Sequence, residues 1–453
     1  MKLSNILKKI FILLHLILFT QSFLFSAHSK PIYGKNGMIV STSKKASLVG
    51  IDILKKGGNA IDAAVAVGFA LAVTSSGNGN IGGGGFLVAS MASGKNFTID
   101  HRETAPSKSY QTMFLNTENN VIPGMSLQTH ASSGVPGTVD GLLKAFYDYG
   151  SGSISLRQIL SPAIRLAEKG FSLTLYEANR FNNYKEMFQK NKAASKIFIR
   201  QDGKLWKKGD LFIQKDLAKT LKRILKFGRD GFYSGFIADL IVKEMKKGNG
   251  LISLEDLKNY SAKYREPIQG SYKNYDIISM GPPSSGGVLL VNMLNMLEHF
   301  SIDSLGWNSS NYIHLLTEVE RRAYADRAEH MGDPDFWKVP ISMLTSKNYA
   351  KNRIKDISMD KATLSTDISA SKNQNYESIE TTHYSVVDKW GNAVSVTTTI
   401  NLNYGNGIIV EGAGFFLNNE MDDFSSKPGV PNVFGLIGNE ANAIEAFKRP
   451  LSS

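Results

Sequence analysis

The order of apolar and polar positions predicts helices and strands that follow one another along the whole chain. Residues 61–73 are apolar on most sides of a helix, which predicts a buried helix. Apolar residues recur at helical spacing, which predicts helices, at residues 46–56, 139–149, 156–169, 217–227, 288–300 and 311–329. Strand-like runs are predicted for residues 86–89, 268–280, 381–388 and 393–400. This mixture indicates a layered α/β or α+β fold rather than a helical bundle.

The strand-like runs near the end of the chain predict a hairpin. Residues 381–388 and 393–400 flank a turn cluster at residues 388–392. If Trp390 is the centre of that turn, Thr381 faces Thr399 across the ladder, with Cβ atoms about 4.5–5.5 Å apart. The preceding residues 364–380 are polar and poor in apolar side chains, which predicts a flexible linker that ends where the hairpin begins.

The first 29 residues have the pattern of a secretory signal. Lys2, Lys8 and Lys9 precede an apolar run, and small residues before position 30 predict removal after Ser29. A membrane anchor is the alternative, but the clean apolar run is shorter than the roughly 20 residues that a span needs. The sequence therefore predicts an exported protein, periplasmic or secreted, without a stable membrane anchor.

The amino-acid composition excludes several kinds of reactive site and binding partner. The chain of 453 residues has no cysteine, which excludes disulfides, thiolate metal sites and a cysteine nucleophile. The formal net charge is +12, but no basic tract interleaves with aromatic residues, so no nucleic-acid partner is predicted. Residues 82–85 are four glycines that predict a loop, and no Gly-Lys-Ser/Thr follows them as a phosphate-binding loop requires. No cofactor and no metal site is predicted.

A threonine at the junction of linker and strand can become a nucleophile without a triad. If the chain is cut between Glu380 and Thr381, the new α-amino group lies beside the hydroxyl of the same threonine. Its reference pKa of about 7.7–8.0 suits a general base at neutral pH. The sequence therefore predicts that Glu380 and Thr381 form a cleavage site and that Thr381 is an N-terminal nucleophile.

The residues Thr-Thr-His-Tyr-Ser-Val-Val-Asp at 381–388 resemble the processing-site motif of the gamma-glutamyltranspeptidases, a family of N-terminal nucleophile hydrolases. Further motifs match in family order at residues 82–86, 100–106, 282–287, 417–424 and 449–453. The resemblance implies an α+β fold, a four-layer αββα sandwich, with the C-terminal part of the family's fold missing from this chain. It also implies division into a large subunit, residues 30–380, and a small subunit that begins at Thr381.

The resemblance implies a role for each candidate site residue. Thr381 would attack the γ-amide of glutathione or a related small molecule, form a γ-glutamyl ester, and pass the group to water, an amino acid or a peptide. Thr399 would hold the amino group of Thr381. Arg102 would bind the α-carboxylate of the glutamyl group, assisted by Ser452 and Ser453. The α-ammonium group would be bound by three oxygen-bearing side chains, Asn401, Glu420 and Asp423. Asp422 between them is interpreted as structural.

Two departures from the family pattern keep alternatives open. The chain stops at Ser453, whereas the family's small subunit continues through the paired glycines of an oxyanion hole, so a partial or truncated sequence is expected. Phe434 also replaces a tyrosine that many bacterial relatives carry in the loop over the site. One alternative is a non-catalytic remnant. The other is a glutaryl- or cephalosporin-type acylase, against which the carboxylates of Glu420 and Asp423 argue.

Overall fold

The computed structural model describes residues 31–368 and 381–452. Residues 31–36 form no helix or strand, and a compact unit begins at Gly37. The predicted signal at residues 1–29, residues 369–380 of the predicted linker, including Glu380, and Ser453 lie outside the described residues.

The chain folds into an α+β arrangement, as predicted. The strands are β1 Gly37–Val40, β2 Gly84–Ser90, β3 Asn96–Asp100, β4 Phe171–Ser172, β5 Leu211–Phe212, β6 Lys263–Arg265, β7 Ile268–Tyr272, β8 Tyr275–Ser279, β9 Thr382–Asp388 and β10 Ala393–Thr399. The helices of the first half are α1 Lys44–Lys55, α2 Ala60–Thr74, α3 Met125–Gln128, α4 Thr138–Tyr149, α5 Leu156–Lys169, α6 Leu175–Asn183, α7 Lys185–Gln189 and α8 Lys192–Phe198. The later helices are α9 Lys215–Phe227, α10 Asp230–Tyr233, α11 Gly235–Lys247, α12 Leu254–Asn259, α13 Gly286–Leu297, α14 Ser310–His330, α15 Ile341–Leu344 and α16 Lys347–Arg353. Among the described residues, no helix has the length and hydrophobicity needed to cross a bilayer.

A six-stranded antiparallel sheet forms the centre of the molecule. Its strand order is β1-β9-β10-β2-β3-β6, so the hairpin near the end of the chain lies between strands from its beginning. The predicted register is confirmed, because Thr382 lies opposite Thr398 and Ala393 lies opposite Val387. Thr381 and Thr399 are the next residues along the two strands.

One face of this sheet is covered by helix α2. A capping box between Asn59 and Asp62 begins the helix, and every residue from Ala60 to Thr74 is buried. The predicted buried helix is therefore confirmed. Tyr384, Val386, Val394 and Val396 alternate along the hairpin and are buried in the same hydrophobic core as the apolar residues of α2. Packing on this face holds β9 and β10 in a fixed register.

The glycines at residues 82–85 do not form a loop throughout. Gly84 and Gly85 already belong to strand β2 and pair with Thr399 and Thr398 of β10. A Cβ atom at Gly83 would overlap the carbonyl oxygen of Thr399, and one at Gly84 would overlap the carboxylate of Glu103. The glycines therefore allow other groups to pack closely against this end of the sheet.

A second hydrophobic cluster is built on helices α13 and α14. The run at residues 268–280, predicted as strand-like, is a hairpin of β7 and β8, with Lys273 in the left-handed region at its turn. Strand β7 packs on α13, and Ile268 and Leu451 belong to the same buried cluster. This cluster holds the last described residues of the chain.

Candidate active site

The candidate residues lie in one row across an end of the six-stranded sheet. Thr399 pairs with Gly84, and His101 exchanges backbone hydrogen bonds with Gly85, at 3.2 Å and 3.0 Å, just before Arg102. The row therefore runs from Thr381 beside β9, through β10 and β2, to Arg102 beside β3. At about 4.8 Å between neighbouring strands, the backbones of Thr381 and Arg102 are roughly 14 Å apart. A small extended substrate could span that distance.

Thr381 lies directly before strand β9 and is exposed. Its neighbour Thr382 is buried on the helix-covered face, with its Oγ1 3.1 Å from Oγ1 of Thr42. Because side chains alternate along a strand, Thr381 faces the opposite side from Thr382, the side on which Thr399 lies. Thr381 also lines a cavity of about 700 Å³. Its hydroxyl is therefore accessible, as a nucleophile must be.

Thr399 is buried, and the chain turn that follows it fixes its hydroxyl. The backbone N–H of Asn401 donates to Oγ1 of Thr399 at 2.8 Å. Asn401 takes the left-handed conformation, with a φ of 69°, and its Nδ2 donates to the carbonyl of Asn419 at 2.9 Å. This turn connects Thr399 directly to the segment that carries Glu420.

Arg102 is at the centre of a buried ionic cluster. Its guanidinium group forms ion pairs with Glu420 and with Asp423, and its Nε donates to the carbonyl of Pro450 at 3.2 Å. Arg102 is only 1% exposed, and Glu420 and Asp423 are buried as well. Each nitrogen of the guanidinium group thus faces an oxygen of the protein. The residue predicted to bind the substrate carboxylate therefore contacts two of those predicted to bind its ammonium group.

Burial and charge act against each other in this cluster. Burial raises the pKa of Glu420 well above its ordinary value and also raises that of Asp423, and the pairing with Arg102 offsets only part of this effect. Burial alone would lower the pKa of Arg102, but the carboxylates of Glu420 and Asp423 raise it overall. Arg102 therefore stays charged at neutral pH.

The adjacent Glu103 is a further buried carboxyl group that sequence reasoning did not assign. Among the described residues, neither of its carboxylate oxygens has a hydrogen-bond partner. Burial raises the pKa of Glu103 to about 8, although the charge of Arg102 acts in the opposite direction. Glu103 is therefore mostly protonated at neutral pH.

We expect Glu103→Gln to flatten the dependence of stability on pH. A carboxyl group whose pKa is raised on folding binds more protons in the folded state, so stability falls as pH rises from about 4.5 to about 8. The amide cannot ionise, so the variant should lose less unfolding free energy between pH 5 and pH 8 in urea titrations. Glu168→Gln, at an exposed residue of α5, serves as the control. Parallel profiles for wild type and Glu103→Gln would contradict this assignment.

Ser452 is held against the Pro282–Gly287 motif. Its N–H donates to the carbonyl of Pro283 at 2.9 Å, and its own carbonyl accepts from Oγ of Ser285 at 2.9 Å and from Nη2 of Arg327 at 3.1 Å. Arg327 is a buried residue of α14 that sequence reasoning missed. Its helix was predicted, but nothing in the local pattern indicated that this arginine turns inward.

Asp422, interpreted as structural, accepts hydrogen bonds from a short helix and from a loop of the protein. Its Oδ1 accepts from Oγ of Ser126 at 2.6 Å, and its Oδ2 accepts from the N–H of Val433 at 3.1 Å. Burial raises the pKa of Asp422 to about 6. Asp422 thus connects the Glu420–Asp423 turn to the loop that contains Phe434.

The structure brings most of the predicted site together. Thr381, Thr399, Asn401 and the Arg102 cluster lie at the same end of the sheet, and Ser452 follows Pro450, whose carbonyl accepts from Arg102. The site thus combines an exposed hydroxyl at the head of a strand with a buried cluster of one guanidinium and two carboxyl groups. Glu380 and Ser453 stay predictions, because they lie outside the described residues.

The α+β fold, with a threonine directly before an inner strand of its main sheet, is that of the N-terminal nucleophile hydrolases. The family described as Gamma-glutamyltranspeptidase matches residues 46–453. The chain belongs to the gamma-glutamyltranspeptidase family, which confirms the resemblance seen in its motifs.

Known proteins support this assignment over most of the chain. The "Glutathione hydrolase proenzyme" of Escherichia coli (strain K12) is 48% identical over 423 residues, which cover 93% of this chain and 73% of that protein. The crystal structure of Helicobacter pylori gamma-glutamyltranspeptidase is 45% identical, with a TM-score of 0.73, covering 77% of this chain and all 100% of that one. A cephalosporin acylase from Bacillus halodurans has a TM-score of 0.79 at 25% identity, covering 95% of this chain and 76% of its own. The chain thus has the fold shared by these hydrolases.

Proposed function

We propose that this chain is the precursor of a glutathione hydrolase and gamma-glutamyltransferase with Thr381 as its nucleophile. The observation that carries the proposal is the row at the sheet end, in which an exposed threonine hydroxyl, Thr399 and the Arg102 cluster follow one another within about three strand spacings. The similarity to the Escherichia coli glutathione hydrolase proenzyme supports both the reaction and the precursor.

Maturation begins with the hydroxyl of Thr381. Oγ attacks the carbonyl carbon of Glu380, the peptide bond to the Thr381 nitrogen breaks, and an ester forms. This step frees the α-amino group of Thr381, because the proton of Oγ passes to its nitrogen. Water then hydrolyses the ester, which frees the Thr381 hydroxyl and leaves an α-carboxylate on Glu380. The products are the large subunit, residues 30–380, and a small subunit that begins with Thr381. The position of Thr381 at the end of an anchored strand, outside the hydrogen-bonded ladder, suits this step.

Turnover uses the amino group that cleavage releases. The α-amino group accepts the proton of Oγ as Oγ attacks the γ-carbonyl carbon of the substrate, and the proton then passes to the leaving amine. A γ-glutamyl ester remains on Thr381 until water or the amine of an acceptor attacks it. Thr399 lies at the neighbouring position on β10, where its hydroxyl orients the α-amino group. Thr381 and Thr399 are therefore assigned as the catalytic residues.

Substrate recognition exchanges ion pairs within the protein for ion pairs with the substrate. Without a substrate, the single positive charge of Arg102 is shared by the carboxylates of Glu420 and Asp423. An α-amino acid carries one carboxylate and one ammonium group, so it can enter this cluster without changing the net charge. Its carboxylate replaces the protein carboxylates at Arg102, and its ammonium group binds Glu420, Asp423 and the side-chain oxygen of Asn401. Ser452 and Ser453 assist at the carboxylate.

The same cluster favours a γ-glutamyl substrate over the glutaryl group of an acylase. A glutaryl group lacks the ammonium, so Glu420 and Asp423 would lose the charge of Arg102 and gain none. A relative named Acylase ACY 1 proenzyme, from Pseudomonas sp. (strain SE83), is 37% identical, below the 48% of the Escherichia coli glutathione hydrolase proenzyme. Both the geometry and the similarity therefore favour the γ-glutamyl reaction.

The test combines a denaturing gel with two chromogenic substrates. We expect the purified protein to separate into two fragments whose junction lies before Thr381, and to hydrolyse a γ-glutamyl anilide at least about 100-fold faster than a glutaryl anilide. That ratio corresponds to about 3 kcal/mol for one charge-assisted contact. Comparable rates would favour the acylase, and a single uncut, inert band would favour the non-catalytic remnant.

The location in the cell follows from the first 29 residues. We propose that this segment directs export and is removed, so that both subunits are periplasmic or secreted and hold no stable membrane anchor. Glutathione, related γ-glutamyl compounds, and acceptor amino acids or peptides are the small-molecule partners. N-terminal sequencing of the large subunit would identify the residue at which it begins.

A further inference from the structure

We propose that the cavity beside Thr381 binds the peptide that leaves the γ-glutamyl group and the peptide that later accepts it, with Arg180 binding the carboxylate of that peptide. This inference rests on the proposed function, because it assigns a second subsite to the same nucleophile. Apart from Thr381 itself, the described residues that line the cavity do not belong to the row at the sheet end.

The order of the strands places the cavity on the correct side of Thr381. From Thr381, the row of Thr399 and Arg102 extends toward β3, and this is the direction of the γ-glutamyl group. On the other side of β9 lies β1, and the cavity is lined by Thr42, which follows β1, as well as by Asn403 and Tyr404 in the loop after β10. A substrate whose acyl group extends toward Arg102 therefore directs its amide nitrogen, and the peptide beyond it, toward the cavity.

The size of the cavity suits a short peptide. Its volume of about 700 Å³ lies within the range of about 300–1,000 Å³ for small-molecule sites. The walls come from the N-terminal end of α1, the loop after α2, helix α6 and the loop at Asn403 and Tyr404. Two extended residues span about 7 Å, so the dipeptide that glutathione releases fits inside.

Arg180 is the residue in this cavity whose guanidinium group is oriented to bind a carboxylate. Its Nη2 donates to Oδ1 of Asn78 at 2.7 Å, its Nη1 donates to the hydroxyl of Tyr176 at 3.2 Å, and its guanidinium lies 5.4 Å from the ring centre of Tyr404. All three partners are neutral. They orient the planar fork, and they leave its charge available for an anion.

The acidic side chain among the described lining residues does not balance that charge. Glu177 forms its ion pair with Lys45, at 3.7 Å, and its Oε2 accepts from the N–H of Thr174 at 2.6 Å, which caps helix α6. Lys44, exposed at the start of α1, adds a further positive charge to the wall. The cavity as a whole therefore favours an anionic occupant, and the peptide carboxylate is the anion that the reaction brings.

The test compares substrates with and without that carboxylate in self-processed Arg180→Gln. We expect the ratio of kcat/KM for glutathione to that for a γ-glutamyl anilide to fall about tenfold, and the KM for glycylglycine as acceptor to rise about tenfold. Amidated glycylglycine, which lacks the carboxylate, should show the same KM with variant and wild type. Arg180→Lys should recover part of the loss, and Arg165→Gln, an exposed arginine of α5, is the control for surface charge.

Binding of glycylglycine, measured by calorimetry on wild type and Arg180→Gln, gives a readout that does not depend on turnover. We expect about tenfold weaker binding to the variant. Unchanged binding together with an unchanged substrate ratio would overturn the inference and leave the proposed function intact. An effect of Arg180→Gln on the rate of self-cleavage alone would also overturn it, because the cavity would then serve only the precursor. A wild type that binds glycylglycine but cleaves no γ-glutamyl compound would refute the proposed function and, with it, this role for the cavity.

Discussion

Thr381→Ala should abolish both self-cleavage and turnover. The alanine has no hydroxyl to attack the carbonyl of Glu380, so the α-amino group is never released, and it has no hydroxyl to attack a substrate. Loss of a nucleophile costs several orders of magnitude, so we expect hydrolysis of a γ-glutamyl anilide to fall by at least about 10³-fold. A denaturing gel and the anilide assay measure the two effects on the same sample.

The neighbouring threonine provides a matched control. Thr382 is buried, and its Oγ1 lies 3.1 Å from Oγ1 of Thr42, on the opposite face of β9 from the nucleophile. Thr382→Ala should therefore cost about 1 kcal/mol of stability, through the lost hydrogen bond, while cleavage still occurs. Thr381→Ser should keep a hydroxyl at the head of the strand and retain cleavage. Fragments and activity in Thr381→Ala would refute the mechanism at its first step.

Local patterns in the sequence were enough to predict the parts of the fold that lie close together in the chain. The hairpin register follows from a turn at Trp390 and from β-branched residues on either side, and the structure has that register. The buried helix predicted at residues 61–73, from a surface that is apolar on most sides, is Ala60–Thr74 in the structure. In both cases the pattern that predicts the pairing or the burial lies within about 20 positions of the chain.

Contacts between distant segments could not be predicted in the same way. Gly84 and Gly85 belong to a strand because β10 pairs with them from more than 300 positions away, whereas the glycines alone predict a loop. Arg327 contacts Ser452 across 125 positions, and its helix shows only a charged surface pattern. The motif resemblance pointed to Arg102, Glu420 and Asp423, but not to their direct pairing with each other.

That pairing makes Arg102 a residue whose loss should affect both stability and activity. Arg102→Gln removes the positive charge between Glu420 and Asp423 and leaves buried carboxylates without it. Breaking a buried ion pair by removing one partner costs about 3–5 kcal/mol, so we expect a loss of that size in urea unfolding. Binding of the substrate α-carboxylate should be lost as well, which raises the KM for γ-glutamyl donors.

Two further variants separate these effects even if Arg102→Gln does not fold. Arg102→Lys keeps the charge but cannot form a planar bidentate contact, so the protein should fold and its KM for a γ-glutamyl anilide should rise by about 10- to 100-fold. Adding Glu420→Gln to Arg102→Gln removes the excess negative charge and should restore part of the stability without restoring activity. The coupling between the two positions, obtained from the double-mutant cycle, should be at least about 1 kcal/mol. Additive losses of stability would show that the two side chains act independently, and a KM unchanged in Arg102→Lys would remove Arg102 from substrate binding.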